Sequence, residues 1–209
     1  MARVSTARIQ RRVVWAAAAL LVLETFSGRE CLPDKLAGDL ASERQRAVAS
    51  LEKGNAELLS GNTSSALMDY LTARRIFVRL LADAPESRGR QRDLSVALER
   101  IGDVSVLQGD MAGALVSFRE AHSLAEGLAG DDPGNSELQS DLWIALERIG
   151  DAFLAQGNRN QAFARYSALH AIRMRLAKSD ATNADWQRNL SVSHNKMGDV
   201  LASQGKLVE

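Results

Sequence analysis

A six-residue block, Leu-Glu-Arg-Ile-Gly-Asp, occurs at 98–103 and returns unchanged at 146–151, a spacing of 48 residues. A further step of 48 reaches Met-Gly-Asp at 197–199, and the stretch 91–96 returns at 187–192 with one change. Self-similarity of this length at a fixed period is the signature of a repeat protein, in which each unit packs mainly on its neighbours. The chain is therefore predicted to be a stack of similar units.

Two sets of glycines follow the same period. The first set is Gly54, Gly102, Gly150 and Gly198, and the second set is Gly61, Gly109, Gly157 and Gly205. The second set suits left-handed helix caps, and the Asn or Asp that follows three of its members suits the cap of the next helix. The first set falls inside helical segments, where glycine costs about 1 kcal/mol relative to alanine. We therefore expect these glycines to allow close approach of a neighbouring helix.

Between the glycine turns, apolar residues follow helical spacing and form one buried stripe per helix. In the second repeat the stripes are Leu94, Leu98, Ile101 and Ser105, then Leu115, Phe118, Ala121, Ala125 and Leu128. In the third repeat they are Leu142, Leu146, Ile149 and Phe153, then Phe163, Tyr166, Leu169, Arg173 and Leu176. Pro85 and Pro133, also 48 apart, mark the boundaries where one repeat gives way to the next.

These signals predict seven helices, grouped as three helical hairpins and one further helix. Their predicted bounds are 39–60, 63–82, 87–108, 111–129, 135–156, 159–178 and 183–204. The last helix has Ser193 and His194 where its relatives have alanine and leucine, which fits an end cap with one solvated face. Alternatively, 207–209 opens the second helix of a fourth repeat.

The charge balance and the cysteine content exclude several classes of function. The 26 basic residues balance the 26 acidic ones, so the body of the chain lacks the basic excess of a nucleic-acid binder. Cys31 is the only cysteine, which excludes an internal disulfide and a cysteine-based zinc site. No nucleophile–base arrangement, phosphate-binding glycine loop or metal-binding helix motif occurs, so we expect no catalysis and no cofactor.

The N-terminal segment differs from the rest. It carries four arginines and no acid before Glu24, followed by an apolar run at 13–23 that spans about 16 Å as a helix, half of a bilayer core. We divide the chain into this segment at 1–27, a linker at 28–38 and the repeat array at 39–209. The segment is interpreted as a signal peptide or weak anchor, which favours export or membrane association over the cytoplasm. Any membrane association is expected through this segment alone.

The pattern resembles the tetratricopeptide repeat family. The matching residues are Leu98, Ile101-Gly102, Ala114, Phe118 and Ala121 in the second repeat, and Leu146, Ile149-Gly150, Ala162 and Tyr166 in the third. The first repeat matches through Gly54, Ala66, Tyr70 and Ala73, and Trp186–Val192 is similar to bacterial relatives with longer repeats. Departures are Lys53, Ser105 and Leu169, and a period of 48 against about 34 in the family.

The resemblance implies an all-α, right-handed solenoid of helical hairpins, with about three repeats and a C-terminal capping helix. In such a solenoid the first helix of each hairpin lines a concave groove that binds a partner. The groove residues it implies are Val96, Glu99, Asp103, Val106, Ile144, Glu147, Asp151, Leu154, Asn195 and Asp199. Their acids form a ladder that suits a basic or amphipathic peptide. In the alternative interpretation, Arg100, Arg148 and Lys196 neutralise the acids and the face is merely solvated.

The function expected from this pattern is a non-catalytic scaffold that binds a protein or peptide partner. The alternatives are a structural module that self-associates through its array ends, and an accessory segment of a larger signalling or enzymatic assembly. His122 and His170, 48 apart, are interpreted as copies of one second-helix position rather than as a metal pair. Trp143 and Trp186 are interpreted as packing residues between helices rather than as ligand platforms.

Overall fold

The computed structural model of the chain describes residues 34–206, and every regular element in that range is an α-helix. The helices are α1 (Asp34–Leu59), α2 (Thr63–Asp83), α3 (Arg88–Leu107), α4 (Met111–Asp131), α5 (Ser136–Ala155), α6 (Arg159–Ser179) and α7 (Ala184–Ser203). The prediction of an all-α solenoid of helical hairpins is confirmed, because successive helices pack on one another in chain order. The signal peptide or anchor predicted at 1–27 lies outside the described residues.

The first helix is longer than predicted. It begins at Asp34 rather than at 39, so the end of the segment interpreted as a linker is helical. The chain divides into two compact units, Met1–Asp39 and Leu40–Glu209, and the helical array from Leu40 onward belongs to the second. Among the described helices, none is both long and apolar enough to cross a membrane.

The predicted apolar stripes form the core. All of their residues are buried except Leu142 and Phe163, which are half-buried at the edge of the cluster between the second and third repeats. Burial of each large apolar side chain contributes about 1.5–3 kcal/mol, so the stack is held mainly by these stripes. The stripe also buries one charged side chain, Arg173, of which only 3% is exposed.

An aromatic ring covers a glycine in each of the three hairpins. Tyr70 covers Gly54, Phe118 covers Gly102 and Tyr166 covers Gly150. A Cβ atom added at the glycine of the first or third hairpin would lie 2.5 Å from the ring, and at the second it would lie closer still. These distances are too short for real contacts, so the prediction that these glycines serve helix packing is confirmed for the three hairpins.

The second glycine set ends the first helices as predicted. The φ angles are 81° at Gly61, 79° at Gly109, 75° at Gly157 and 70° at Gly205, in the left-handed region that favours glycine. The following Asp110 and Asn158 accept a backbone N–H in the first turn of the next helix. The cap predicted at Asn62 is wrong, because its side-chain amide instead donates to Glu57 at 2.9 Å.

At the boundaries between repeats, asparagine caps the next helix, whereas proline lies in the connecting loop. The helices after Pro85 and Pro133 begin at Arg88 and Ser136, so each proline lies in the connecting loop and not at the first helical position. Asn135 accepts from two backbone N–H groups at the start of α5, and Asn183 does the same for α7. Each such cap contributes about 1 kcal/mol to its helix.

The last helix, α7, differs from the prediction at Ser193. This residue was expected on a solvated face, but it is completely buried in the position of Ala97 and Ala145. Its hydroxyl is satisfied there, because it lies 2.6 Å from the Leu190 carbonyl oxygen and 2.8 Å from Nδ1 of His170. His194, one residue on, is exposed as predicted.

Candidate functional site

The first helices α1, α3, α5 and α7 present one shared face, here called the first-helix face, which contains the ten residues predicted to line a groove. Val96, Asp151, Leu154, Asn195 and Asp199 are exposed on it. The other five, which are Glu99, Asp103, Val106, Ile144 and Glu147, are half-buried.

The acids of the second repeat are paired with a base from the third. Arg148 of α5 donates through Nε and Nη2 to the two carboxylate oxygens of Asp103, at 2.8 and 3.0 Å. Its Nη1 lies 3.6 Å from Glu99. Arg100, on the same helix as both acids, lies 4.0 Å from Asp103. The charges therefore balance across the repeat boundary rather than within one helix.

The acids of the third repeat are paired in the same way. Nζ of Lys196 in α7 lies 3.1 Å from Glu147 and 2.7 Å from Asp151. The Tyr166 hydroxyl also donates to Asp151, at 2.5 Å. Burial, followed by the hydrogen bond to Asp151, raises the pKa of Tyr166. This phenol therefore stays protonated and acts as a donor to the carboxylate.

The third repeat has a buried arginine at a position where the second repeat has none. Arg173 of α6 donates to Glu147 at 2.7 Å, and its guanidinium lies 4.0 Å from the centre of the Trp143 ring. Burial lowers the pKa of Arg173, although the attraction of Glu147 opposes this. The second repeat has Ala125 in the place of Arg173. Glu99 therefore lacks the second cation that its counterpart Glu147 has beneath it.

Glu99 is the most perturbed carboxylate of the first-helix face. Its side chain is 17% exposed. Burial raises its pKa to about 7, and the nearby Asp103 and Asp141 act in the same direction against the attraction of Arg148. A group with this pKa changes charge near neutral pH. The acidic ladder predicted from the sequence therefore carries less negative charge at Glu99 near neutral pH.

A cavity of about 300 Å³ opens between the second and third repeats. Its lining brings together the predicted groove residues Asp103, Val106 and Asp151. The remaining lining residues are Leu107, Met111, Phe118, Arg148, Ala152 and Ala155. The walls are mainly apolar, while the charged groups include the Arg148–Asp103 pair. The arrangement can hold an apolar side chain next to fixed polar groups, and among the described residues it contains no free nucleophile–base pair.

The other seven predicted groove residues do not line this cavity. They are Val96, Glu99, Ile144, Glu147, Leu154, Asn195 and Asp199. Sequence reasoning named Val96 and Ile144 but missed that Val48 and Val192 continue them as an apolar row at the 48-residue spacing on the first helices. The period itself would have revealed this row, whereas Met111 and Ala155 carried no sequence signal as lining residues.

The three histidines and Trp143 lie against neighbouring side chains. Nδ1 of His122 lies 3.9 Å from Glu126, and the His170 ring lies 4.4 Å from that of His194. Burial lowers the pKa of both His122 and His170. Trp143 is half-buried beneath Arg173. Within 34–206, no group of three or more His, Cys, Asp or Glu side chains is placed to hold a metal ion.

Comparison with known proteins gives similarity of architecture only. No protein-family model matches this sequence, and no curated protein matches it either. Among solved structures, a de novo designed helical repeat protein, DHR64, is 11% identical, with 94% of each chain covered and a TM-score of 0.40. The MamA protein is 12% identical, with 78% of this chain and 93% of that chain covered and a TM-score of 0.31.

A TPR repeats protein from Bacteroides fragilis is 15% identical to this chain. The likeness covers 75% of this chain and 88% of that chain, with a TM-score of 0.23. At such identities and scores these likenesses carry no argument about function. The helical-repeat fold rests instead on the seven helices and their packing.

Proposed function

We propose that this chain is a non-catalytic protein-interaction scaffold of the tetratricopeptide type, which binds a segment of a partner protein along the first-helix face. The observation that carries the proposal is the apolar cavity of about 300 Å³ between the second and third repeats. A cavity of this size lies at the lower limit of ligand pockets and suits one apolar side chain of a bound segment.

The chemistry around the cavity supports a peptide as its occupant. Asp103 is fixed by Arg148, whereas Asp151 keeps half of its side chain exposed beside the opening. A segment with an apolar anchor residue next to a polar or basic residue suits these groups, because the anchor gains burial and the neighbour reaches Asp151. The exposed Val96 and Leu154 extend the apolar contact along the same face.

The charge pairing limits how much affinity the acidic ladder contributes. Four of its acids already face Arg148, Arg173 or Lys196 at 3.6 Å or less. A partner cation must therefore share these carboxylates with internal cations that already neutralise them, which reduces what each carboxylate adds to binding. The proposed binding energy comes mainly from the apolar anchor, with the charges setting orientation.

The test is a selection of peptides from a random displayed library against the full chain, followed by binding measurements on the enriched sequences. Ala155 lines the cavity and is itself exposed, so Ala155→Trp fills the cavity from its rim without entering the core. Ala171→Trp, at an exposed position of α6, is the matched control. Circular dichroism establishes that both variants keep their helices.

The proposal expects enriched peptides that share an apolar residue and bind the parent and Ala171→Trp equally. Ala155→Trp is expected to weaken them by roughly tenfold or more, which corresponds to about 1.4 kcal/mol of lost anchor burial. Peptides that bind both variants alike would place the binding surface elsewhere. A library that yields no binder would contradict the proposal as a whole.

A further inference from the structure

The ring that covers a glycine in each hairpin is not the same in all three. It is a tyrosine in the first and third hairpins, at Tyr70 and Tyr166, and a phenylalanine in the second, at Phe118. The Tyr70 hydroxyl donates to Asn55 at 2.8 Å, and the Tyr166 hydroxyl donates to Asp151 at 2.5 Å. The second hairpin cannot form the corresponding hydrogen bond, because phenylalanine has no hydroxyl.

Asp103 is the acceptor that this difference leaves without a phenol. It has the place in the second hairpin that Asn55 and Asp151 have in the first and third, and both tyrosines of the chain donate to those two residues. Arg148 donates to each of the two oxygens of Asp103, at 2.8 and 3.0 Å. A carboxylate oxygen can accept a second hydrogen bond, so Asp103 keeps the capacity to accept a hydroxyl.

The third repeat shows that a carboxylate at this position accepts a phenol and a cation together. Oδ1 of Asp151 accepts from the Tyr166 hydroxyl at 2.5 Å and from Nζ of Lys196 at 2.7 Å. Lys196 follows Arg148 by one period of 48 residues, so the two cations have equivalent places. Asp103 therefore has the cation of this arrangement and lacks its phenol.

Open space lies at the place of the missing phenol. Asp103 and Phe118 both line the cavity of about 300 Å³ between the second and third repeats. The cavity has a cause in the sequence, because Ala152 in its wall stands where the neighbouring repeat boundaries have Val104 and Val200, each at most 1% exposed. A cavity of about 150 Å³ already holds a benzene molecule, so this one has room for a phenol ring.

The walls of the cavity favour an aromatic occupant over an aliphatic one. Asp103 holds the guanidinium of Arg148 in one orientation, and a planar guanidinium stacks on aromatic rings. The thioether of Met111 and the ring of Phe118 also line the cavity, and both make favourable contacts with an aromatic ring. The polar group and the ring contacts together match a tyrosine side chain.

We propose that the partner segment anchors in this cavity through a tyrosine, whose hydroxyl donates to Asp103 beside the ring of Phe118. This inference rests on the proposed function, because it names the anchor residue of the same site. The partner supplies from outside the hydrogen bond that Tyr70 and Tyr166 supply within their own hairpins. A phenylalanine anchor would leave Asp103 without this bond, so the site discriminates between the two residues.

The probes are the N-acetyl amides of tyrosine, phenylalanine and leucine, which carry the anchor side chain alone. Each is titrated into the isotope-labelled full chain, and binding is followed by nuclear magnetic resonance. We expect the tyrosine amide to shift the backbone signals of the cavity residues Val106, Ala152 and Ala155. The phenylalanine amide should bind roughly tenfold more weakly, because a hydrogen bond to a carboxylate is lost, and the leucine amide at least as weakly as that.

Removal of the acceptor tests the hydrogen bond itself. Asp103→Ala is expected to abolish the preference for the tyrosine amide over the phenylalanine amide. Asp93→Ala is the matched control, since Asp93 lies on the same helix and accepts two N–H groups from Arg44, at 2.6 and 2.8 Å, but does not line the cavity. The control should keep the tenfold preference of the parent. Comparing two ligands on each variant isolates the hydroxyl from any general effect on the fold.

A second variant supplies the missing hydroxyl from within. Phe118→Tyr gives the second hairpin the ring that the first and third already have, so the variant is expected to fold, which circular dichroism checks. Its hydroxyl would donate to Asp103 and occupy the place of the partner's phenol. We therefore expect Phe118→Tyr to weaken the tyrosine amide roughly tenfold and to abolish its preference over the phenylalanine amide.

Each contrary result would overturn the proposal. These results are equal binding of the tyrosine and phenylalanine amides, no shift of the cavity signals with the tyrosine amide, and a preference for tyrosine that survives both Asp103→Ala and Phe118→Tyr. The peptide library separates this inference from the proposed function. Enriched peptides anchored by an aliphatic residue would exclude the tyrosine anchor and leave the scaffold function in place, whereas a library without any binder contradicts the scaffold function itself.

Discussion

Arg148 reaches back across a repeat boundary to Asp103, and both nitrogen–oxygen distances of this bidentate pair are 3.0 Å or less. About a quarter of the Arg148 side chain is exposed, so the pair is screened less by water than an ordinary surface pair. The same guanidinium is also the nearest cation to Glu99. One side chain therefore connects the second and third repeats through two carboxylates.

The first prediction concerns this pair. Arg148→Ala is expected to lower the free energy of unfolding by about 1–3 kcal/mol, because two charge-assisted hydrogen bonds are lost and two carboxylates remain half-buried. Arg148→Lys should recover only part of the loss, since an ammonium group cannot donate in the same two-pronged geometry. Urea unfolding followed by circular dichroism measures both.

Arg100→Ala, which removes a contact of 4.0 Å on an exposed side chain, should change the free energy of unfolding little. Equal effects of the two alanine variants would contradict the prediction.

The second prediction compares two glycines at the same repeat position. Gly102→Ala places a methyl group inside the contact distance of the Phe118 ring and is expected to destabilise the chain by about 1–3 kcal/mol. Gly198→Ala meets open space and should stabilise α7 by about 0.5–1 kcal/mol, since alanine is the better helix former. Thermal and urea unfolding measure whether each variant is more or less stable than the parent. A stabilising Gly102→Ala would show that the ring can move away at no cost.

The third prediction concerns the buried arginine. Arg173→Ala recreates the residue that the second repeat has at the same position, yet it removes a cation from Glu147 and leaves a void beside Trp143. The free energy of unfolding is expected to fall by about 2–4 kcal/mol. Adding Glu147→Ala should cost less than the two single changes together, because the carboxylate no longer lies half-buried without its arginine. Additive losses in a double-mutant cycle would exclude coupling between the two residues.

The fourth prediction concerns pH. Burial raises the pKa of Glu99 from its ordinary value of 4.5 to about 7, so between these values the folded chain binds a proton that the unfolded chain releases. The contribution of Glu99 to stability is therefore fully present below pH 4.5 and is lost as pH rises to 7, by at most roughly 3 kcal/mol. Urea midpoints at pH 5 and pH 8 measure the change.

Glu99→Gln is expected to remove this part of the pH dependence and to be more stable than the parent at pH 8. Glu52→Gln, at an exposed position of α1, is the matched control and should keep the dependence of the parent. A Glu99→Gln variant with an unchanged pH profile would show that Arg148 holds the carboxylate ionised throughout.

Much of the architecture was predictable because it depends on local chemistry that the 48-residue period copies. The glycine turns, the helix stripes and the need for close packing at Gly102 are each determined by backbone geometry within one hairpin. Local reasoning failed where a residue had a choice of partners. Asn62 bonds to Glu57 instead of capping α2, and Ser193 is buried because His170 and the Leu190 carbonyl satisfy its hydroxyl.

The sequence by itself determined the period and the hairpins. Only the tertiary structure decided that Arg148 and Lys196 neutralise acids of the preceding repeat, that a cavity opens beside Ala155, and that Gly198 is uncovered. The reason is that periodicity fixes which side of a helix faces its neighbour, whereas the shift and rotation between successive hairpins set which side chains meet. Those quantities arise from the packing of the whole stripe and have no signature in any single residue.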